Sequence, residues 1–412
     1  MFRFYARLKQ TRLLRFCYFL GLLAPMFAFT QSDYRGLIFG EVLTDGGQTY
    51  KGFIRWGSEE AYWGDLFNSS KGESPYKEYA RGPSNLKKFK IFKYTVTTSR
   101  NSPSTSRIFT TPFGNIAQIE VTGPKQADVL MKSGSVYEVS GYANDVGTKL
   151  NVFDEGLGEI EIAWKDVRTV RFMNGPQTSD YKGGRLYGTV KTTGQQFTGF
   201  VQWDKQEAMT EDRLDGHSRD GKMSIKFSQV SKIQKRGGNA CEVTLRDGRS
   251  LNLRDNKDVS SRNRGLFVEM EDQRRVLVPW QEFISLTLVE TPSTGPAYAD
   301  FSIHGPITGS VIEKNGNRHQ GSIVYDLDER ELWENLNGQQ GNLEYHLPFK
   351  LIKSIEPERE DGSWVYLKSG EKYFLEDAAD VNSRNLGILI FTQQAEEPVY
   401  VAWEDLARVE LD

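Results

Sequence analysis

The sequence predicts an all-β protein made of three tandem repeat units. Apolar and polar residues alternate with a period of two in runs of four to seven residues, and Gly, Asn and Asp separate these runs. No segment after residue 30 keeps a 3.6-residue apolar period over three turns. The composition agrees, because 18 Tyr, 24 Phe and 39 Gly suit strands and tight turns better than helices.

A stretch of the form Gly-x-Val…Gly-x-[Ile/Val]-x-[Trp/Tyr] defines the repeat. Its copies run from Gly40 to Glu60, from Gly188 to Glu207 and from Gly309 to Glu329. Such self-similarity identifies the unit that folds. Each copy is followed by an aromatic-x-x-apolar-x-x-apolar series, alternating strands closed by a Gly turn, and an Asp-Val pair. Each unit then closes on a Trp, and the recurring Trp residues end alternating apolar series, which predicts core positions for Trp56, Trp164, Trp203, Trp280 and Trp403.

The predicted boundaries between the units lie where the matches stop. Residues 174–184 and 290–296 are linkers rich in Gly, Pro, Ser and Thr. We therefore expect a first repeat over residues 31–173, a second over 185–289 and a third over 300–412. Each is of normal domain size.

Each repeat also contains two similar halves. Both halves consist of a strand, a Gly turn, a strand, a variable stretch and a strand, and both end on the aromatic-x-x-apolar-x-x-apolar series. That series, as in Phe227-x-x-Val230-x-x-Ile233, predicts a strand that breaks into one turn of 3₁₀ helix before a last strand. This order resembles the small SH3-like and Sm-like β-barrels, and the resemblance implies a pair of such barrels in each repeat. It concerns architecture only and carries no functional motif; three β-sandwiches are the alternative.

The first thirty residues have the pattern of a secretory signal peptide. Basic residues without any acid precede an apolar run from Phe16 to Phe29, and small residues follow it before Gln31. The run is short for a membrane span, and no later segment has transmembrane length. We therefore predict an extracytoplasmic protein, periplasmic or secreted, without a transmembrane helix after cleavage. An uncleaved N-terminal anchor is the alternative.

Charge and motif content restrict the function classes. Removal of the leader takes the net charge from −3 to about −8, which argues against nucleic acid as a partner. Only Cys241 then remains, so an intrachain disulfide is excluded. The histidines lack metal-ligand spacing, and the acids of Tyr325 to Glu329 lack the Gly and the terminal Glu of a calcium loop. Without a nucleophile elbow or a phosphate loop, the sequence predicts no cofactor, metal or catalytic residue.

One segment is not explained by the repeat symmetry. The first repeat has 33 extra residues, and the basic arm over residues 71–107 carries nine Lys or Arg against two Glu. Interleaved basic and aromatic side chains can bind an anionic glycan or an envelope component. The alternative is a hairpin that extends a sheet, with lysines protecting its edge from aggregation. The candidate ligand-binding residues of this arm are Lys87, Lys88, Phe89, Lys90, Phe92, Lys93 and Tyr94.

Two further sets of repeated polar residues are weaker candidates. Glu60, Glu207 and Glu329 could each bind a cation or a substrate, or could cap a turn or pair with a nearby Lys. Two nearly identical loops could bind an anion through Arg and the backbone. In the structural alternative, Asp makes an Asx-turn, Asn tolerates left-handed backbone and Gly closes the bend. The loop candidates are Asp258, Arg262, Asn263, Asp380, Arg384 and Asn385.

The sequence favours a non-enzymatic extracytoplasmic binding or scaffolding protein that holds the basic arm on a rigid base. One alternative is a secreted hydrolase with a carboxylate site between units, formed by acids near Glu60 or Glu207. A deep pocket between units, lined by unpaired carboxylates, would favour that alternative. Another is a structural subunit of an envelope assembly whose exposed strand edges pair with a protein partner.

Overall fold

A computed structural model describes the chain from Asp33 to Asp412, apart from short internal gaps. The predicted leader therefore lies outside the described residues. The gaps are residue 73 and residues 82–86, 92–93, 99–106, 142–144, 178–183, 292, 303–304, 360 and 394–395. Only the backbone is described at residues 81, 87–91, 94–98, 107 and 359.

The prediction of an all-β fold is confirmed. Strands account for 55% and helical turns for 8%, and no described helix reaches seven residues. Within the described residues, no helix has the length and apolar character needed to cross a membrane.

The strands of the first repeat begin with the recurring Gly-x-Val stretch. They are β1 (Phe39–Thr44), β2 (Thr49–Trp56), β3 (Leu66–Lys71), β4 (Lys87–Ile91), β5 (Tyr94–Thr98), β6 (Arg107–Pro112), β7 (Ile116–Gly123), β8 (Gln126–Met131), β9 (Val136–Ser140), β10 (Leu150–Asp154), β11 (Gly158–Ile162) and β12 (Val167–Phe172). Strands β4 and β5 form a separate two-stranded hairpin in the basic arm.

The second and third repeats lack this hairpin. The second consists of β13 (Tyr187–Thr192), β14 (Gln196–Gln202), β15 (Arg213–Ser218), β16 (Gly221–Lys226), β17 (Val230–Lys235), β18 (Ala240–Leu245), β19 (Ser250–Arg254), β20 (Leu266–Glu269), β21 (Arg275–Val278) and β22 (Phe283–Val289). The third consists of β23 (Thr308–Glu313), β24 (Arg318–Val324), β25 (Asn335–Gln340), β26 (Leu343–Pro348), β27 (Ile352–Arg359), β28 (Gly362–Leu367), β29 (Lys372–Glu376), β30 (Ile388–Phe391), β31 (Val399–Val401) and β32 (Leu406–Leu411).

Five of the six halves have a short 3₁₀ helix before their closing strand, while in the second half of the second repeat Trp280 lies in a turn instead. The aromatic-x-x-apolar series therefore forms the turn that it predicts, with Phe or Trp at its first position. The 3₁₀ helices are Lys77–Arg81, Phe113–Asn115, Trp164–Asp166, Phe227–Gln229, Lys257–Val259, Tyr298–Asp300, Phe349–Leu351, Ala379–Val381 and Trp403–Asp405.

The same antiparallel strand order occurs in all three repeats. In the first it is β11-β10-β2-β1-β12-β7-β8-β9-β3-β6. The pairings of the second give β21-β20-β14-β13-β22-β17-β18-β19-β15-β16. Those of the third give β31-β30-β24-β23-β32-β27-β28-β29-β25-β26.

This order corrects the expectation of two contiguous halves. The opening hairpin of the first repeat, β1 and β2, pairs with β12 and β10 from the second half. The hairpin that opens the second half, β8 and β9, pairs with β7 and β3 from the first half. The halves have therefore exchanged their first hairpins, so neither half is a separate sheet. Sequence similarity between the halves could not reveal this, because exchanged and unexchanged pairings use the same strands.

The two recurring glycines permit close approach of neighbouring backbones. A Cβ built on Gly199 in β14 would lie 2.1 Å from the carbonyl oxygen of Glu269 in β20. Gly188 in β13 would bring its Cβ to 2.3 Å from the Thr287 oxygen in β22. The equivalent glycines of the other repeats, Gly40, Gly52, Gly309 and Gly321, would meet backbone oxygens at 2.4, 1.8, 2.0 and 2.2 Å. The motif therefore serves strand packing.

All three repeats are joined by buried contacts. The Arg185 guanidinium of the second repeat lies 3.1 Å from Asp65 of the first and 2.8 Å from Glu269. Strand β21 of the second repeat pairs with β26 of the third. Trp333 of the third repeat packs edge-on against Phe109 of the first, with ring centroids 6.1 Å apart. The recurring residues Trp56, Trp164, Trp203, Trp280 and Trp403 are all buried in the cores.

We predict that Gly199→Ala lowers the free energy of unfolding by about 1–3 kcal/mol, because the new methyl overpacks the β14–β20 contact. Gly194→Ala is the matched control in the preceding turn, where a Cβ would meet no atom within 4 Å. Its effect should stay within about 0.5 kcal/mol. Urea unfolding of both variants measures the difference, and equal effects would contradict the close-approach explanation.

Candidate functional site

A buried carboxylate site recurs at the end of the second strand of each repeat. In the second repeat, Trp203 directly follows β14 and a tight turn comes next, with left-handed backbone at Asp204 (φ 51°) and Lys205 (φ 55°). The chain then returns, so that the Trp203 amide donates to the Glu207 carbonyl at 2.7 Å and the Glu207 amide donates back at 2.9 Å. The same return brings Glu60 to Trp56 and Glu329 to Tyr325. Local turn geometry thus places each recurring Glu beside a core aromatic.

An Asp from a distant turn completes the site. In the second repeat, the Asp258 carbonyl accepts from the Trp203 indole at 3.0 Å, and its carboxylate accepts from the Asp215 amide of β15 at 2.8 Å. Asp145 and Asp380 make the equivalent bonds. Their carbonyls accept from Trp56 (2.8 Å) and Tyr325 (2.7 Å), and their carboxylates accept from the amides of Asn68 (2.5 Å) and Asn337 (2.7 Å).

In the first repeat, the site is a pair of acids. Glu60 is 6% exposed and Asp145 is 2% exposed, and both carboxyls line the same cleft. Burial raises the pKa of Asp145 to about 7. Burial, with the nearby Asp145 and Asp65 carboxylates, also raises the pKa of Glu60 well above its ordinary value. The pair therefore holds a proton near neutral pH. Gly57 stands at the turn position where the other repeats have Asp.

In the second repeat, a lysine ammonium lies among three acids. Lys257 Nζ is 2.5 Å from Asp204, 3.3 Å from Asp258 and 3.8 Å from Glu207. Burial and the Asp258 charge nonetheless raise the pKa of Glu207 to about 8. The Glu–Lys ion pair that the sequence suggested therefore occurs here, between Glu207 and Lys257, within a cluster of four residues.

The third repeat has a corresponding group of three acids. Each of Asp326, Glu329 and Asp380 offers a carboxylate oxygen, and these oxygens lie within 4.8 Å of one another. Ala379 occupies the position of Lys257. The cluster lines a cleft of about 600 Å³ between the first and third repeats, which Phe109 and Lys71 also line. Burial and the neighbouring acids raise the pKa of Glu329 well above its ordinary value.

The loop candidates have internal partners. Arg262 donates to the Asp255 carbonyl at 3.1 Å, and Arg384 donates to the Asp377 carbonyl at 2.6 Å. The structural interpretation therefore describes these loops, with two corrections. The Asx-turns are made by Asn263 and Asn385, whose side-chain oxygens accept from the amides of Gly265 and Gly387, each at 2.9 Å. The left-handed backbone belongs to these glycines (φ 95° and 94°), while Asp258 and Asp380 bond across to another strand.

The beginning of the basic arm packs on the third repeat. Lys71 Nζ lies 3.0 Å from Asp328 and 3.5 Å from Glu334, with its side chain 11% exposed. The Ser74 hydroxyl donates to the Leu327 carbonyl, and the Tyr76 ring packs edge-on against Phe391 with centroids 5.9 Å apart. Tyr79 and Ala80 also contact the small apolar cluster of Val324, Leu327 and Leu389.

The seven candidate residues of the arm are described only in part. Lys87, Lys88, Phe89 and Lys90 lie on β4, and Tyr94 lies on β5, where only the backbone is described. Phe92 and Lys93 lie outside the described residues. Whether these side chains bind a ligand stays a prediction.

Comparison with known proteins adds no functional information. No protein-family model, curated protein or solved structure matches the chain. The sites therefore have to be interpreted from their own chemistry.

We predict that Glu60→Gln makes stability less dependent on pH. In the wild type, both acids bind a proton more tightly when folded than when unfolded. The free energy of unfolding should therefore fall as the pH rises from about 4, the ordinary carboxyl pKa, through about 7, the value for folded Asp145. Gln keeps the shape without the titration, so the variant should gain stability relative to wild type between about pH 5 and pH 8. Urea unfolding across this range measures it; parallel wild-type and variant curves would exclude the shared proton.

Proposed function

We propose that this is an extracytoplasmic, non-enzymatic binding or scaffolding protein whose basic arm contacts an anionic glycan or envelope surface. The observation that supports this best is the anchoring of the arm. Its first ten residues include a buried Lys71 ion pair and the packed rings of Tyr76 and Tyr79 on the third repeat. A segment anchored in this way begins from a fixed position on a rigid base, which lowers the ordering cost of binding.

The charge distribution agrees with this proposal. Lys71 forms internal ion pairs with Asp328 and Glu334. The four lysines at 87, 88, 90 and 93 follow farther along the arm, within a protein that is otherwise acidic. An anionic surface is attracted to the basic segment and repelled by the acidic remainder of the protein.

We predict that Lys87, Lys88, Lys90 and Lys93→Gln together weaken binding to phosphatidylcholine vesicles containing phosphatidylglycerol by at least about tenfold, since each lysine near an anionic surface contributes about 1 kcal/mol. The matched control replaces four exposed lysines elsewhere, Lys125, Lys191, Lys222 and Lys353, by Gln. Vesicle flotation and binding to an immobilised acidic polysaccharide, each at low and high salt, separate a lipid ligand from a glycan.

A second variant separates the arm from its anchor. Residues 82–106 are replaced by a Gly/Ser linker of the same length, which leaves the anchored residues 71–80 in place. Unchanged thermal unfolding with lost retention supports the proposal. Unchanged retention of the arm variants, or an equal loss in the control, contradicts it.

One observation favours a hydrolase as the second candidate. A cleft of about 270 Å³ between the first and second repeats is lined by Glu59, Glu60 and Asp145, together with Arg264 and Arg275. Two carboxyls that share a proton can act as acid and base on a bound water. Their deep burial, however, leaves little of either carboxyl open to a substrate.

For a hydrolase, Glu60→Gln should lower turnover at least about 100-fold, as expected when a general acid or base is lost. Casein and p-nitrophenyl glycosides are the probes, with circular dichroism to verify folding. Equal turnover in wild type and variant, or none in either, favours the binding protein.

A further inference from the structure

We propose that the chain assembles head to tail with further copies of itself, by pairing strand β11 of one copy with strand β16 of the next. This contact repeats, between molecules, the junction that joins the second and third repeats within one molecule. It does not involve the basic arm, so it is independent of the function proposed above. Three observations carry the inference: the internal junction, the two open edges that correspond to it, and the charges of those edges.

The internal junction pairs two edge strands of different kinds. Strand β21 is the outermost strand on one side of the second repeat, and β26 is the outermost strand on the opposite side of the third. They pair antiparallel, with Val276 opposite Tyr345 and Leu277 opposite Glu344. Val276 and Tyr345 are both buried in the core that these two repeats share. The fold therefore has two kinds of edge that pair with each other.

The same two kinds of edge recur elsewhere in the chain. Strand β11 of the first repeat corresponds to β21, because Trp164 and Trp280 follow the two strands at the same distance. Strand β16 of the second repeat corresponds to β26, because Phe227 and Phe349 follow directly. Among the described strands, β11 pairs only with β10, and β16 pairs only with β15. Each therefore has one unpaired side, which is a template for a further strand.

The two open edges carry opposite charges. The hairpin of β10 and β11, residues 150–162, contains four acids and no Lys or Arg. The hairpin of β15 and β16, residues 213–226, contains four Lys or Arg and two acids. On the edge strands themselves, Glu159 and Glu161 of β11 and Lys222 of β16 are exposed. An acidic edge repels a second acidic edge and attracts a basic one, so each copy pairs with the other kind of edge.

The register of the internal junction brings these charges together. Applied to the open edges, that register sets Glu161 opposite Lys222. Glu159 then lies on the same face, diagonally between Lys222 and Lys226, at a distance that long side chains span. Because the two edges are different surfaces, the contact is heterologous and successive copies extend the assembly.

Apolar side chains meet on the other face of the paired strands. The same register sets Ile160 opposite Met223, where the internal junction has Val276 opposite Tyr345. Ile160 and Met223 are partly exposed, and each packs against the core of its own repeat. Pairing of the strands therefore removes further apolar surface from water at both cores.

The groups that contact these edges within the chain are exposed and replaceable. Glu161 and Lys226 each form an exposed ion pair inside their own repeat, and such pairs contribute little to stability. The exposed Arg213 guanidinium donates to the Ser224 carbonyl at 3.0 Å, a bond that a backbone amide of the partner strand replaces.

Sedimentation velocity of the full chain, from about 1 μM to about 1 mM, tests the proposal. We expect a reversible rise in average mass with concentration, and a smaller rise at high salt because exposed charges are screened. Glu159→Lys together with Glu161→Lys should weaken association at least about tenfold. Lys222→Glu together with Lys226→Glu should have the same effect. Circular dichroism of each variant verifies folding.

Mixing the two charge-reversed variants separates edge pairing from other effects of the substitutions. Each variant alone carries edges of like charge, but an equimolar mixture again offers every acidic edge a basic partner. The mixture should therefore recover association that neither variant shows alone. The matched control, Glu120→Lys with Lys191→Glu, reverses exposed charges on strands that are paired on both sides. It should associate as wild type does.

A monomer at every concentration overturns the proposal and leaves the lysines of β16 as protection of that edge against aggregation. Association that both charge-reversed variants keep, or that the control loses equally, overturns the assignment to these two strands. Failure of the mixture to associate overturns the pairing of β11 with β16.

Discussion

One hydrogen-bonded aspartate holds together the crossing strands of every repeat. Asp145, Asp258 and Asp380 each accept an aromatic donor from the second strand through the carbonyl and a backbone amide of the third strand through the carboxylate. These bonds join the two groups of strands that exchange their first hairpins. The hydrogen bond from a backbone amide to a buried carboxylate is strong. Its loss would leave the amide and the carboxylate without partners.

The same aspartate carries a buried charge, and the groups around that charge differ between the repeats. It brings a buried negative charge next to the recurring Glu, and a buried pair of acids needs a proton or a cation. In the first repeat burial raises the pKa of both acids, and in the second Lys257 forms ion pairs with the acids. In the third repeat the acids line the cleft, and Ala379 occupies the position of Lys257. The same backbone arrangement thus surrounds a different set of charged groups in each repeat.

The cleft and the basic arm meet at the boundary between the first and third repeats. Leu327 and Asp328, in the turn that carries Asp326 and Glu329, also receive Ser74 and Lys71 from the arm. The position of the arm's first residues and the position of the acid cluster therefore depend on the same turn. This shared turn therefore joins the beginning of the arm to the third repeat, although the two are far apart in the chain.

The sequence alone determined the features that depend on local pattern. Alternation with a period of two identified the strands, and the aromatic-x-x-apolar series identified the 3₁₀ turns, because each reflects which side of the backbone is buried. The recurring Trp residues were identifiable as core for the same reason. Comparison of the repeats also revealed the arm as an insertion in the first repeat.

Only the tertiary structure decided which strands pair and which acids meet. Exchanged and unexchanged hairpins have the same sequence pattern, since pairing of distant strands leaves no local periodicity. Asp380 lies about fifty residues after Glu329, and no spacing rule connects them. Their contact arises because Asp380 accepts hydrogen bonds from the Tyr325 hydroxyl, next to the tight turn, and from the Asn337 amide of β25. Folding therefore brings together Glu329 and Asp380, which the sequence placed in two separate sets of candidates.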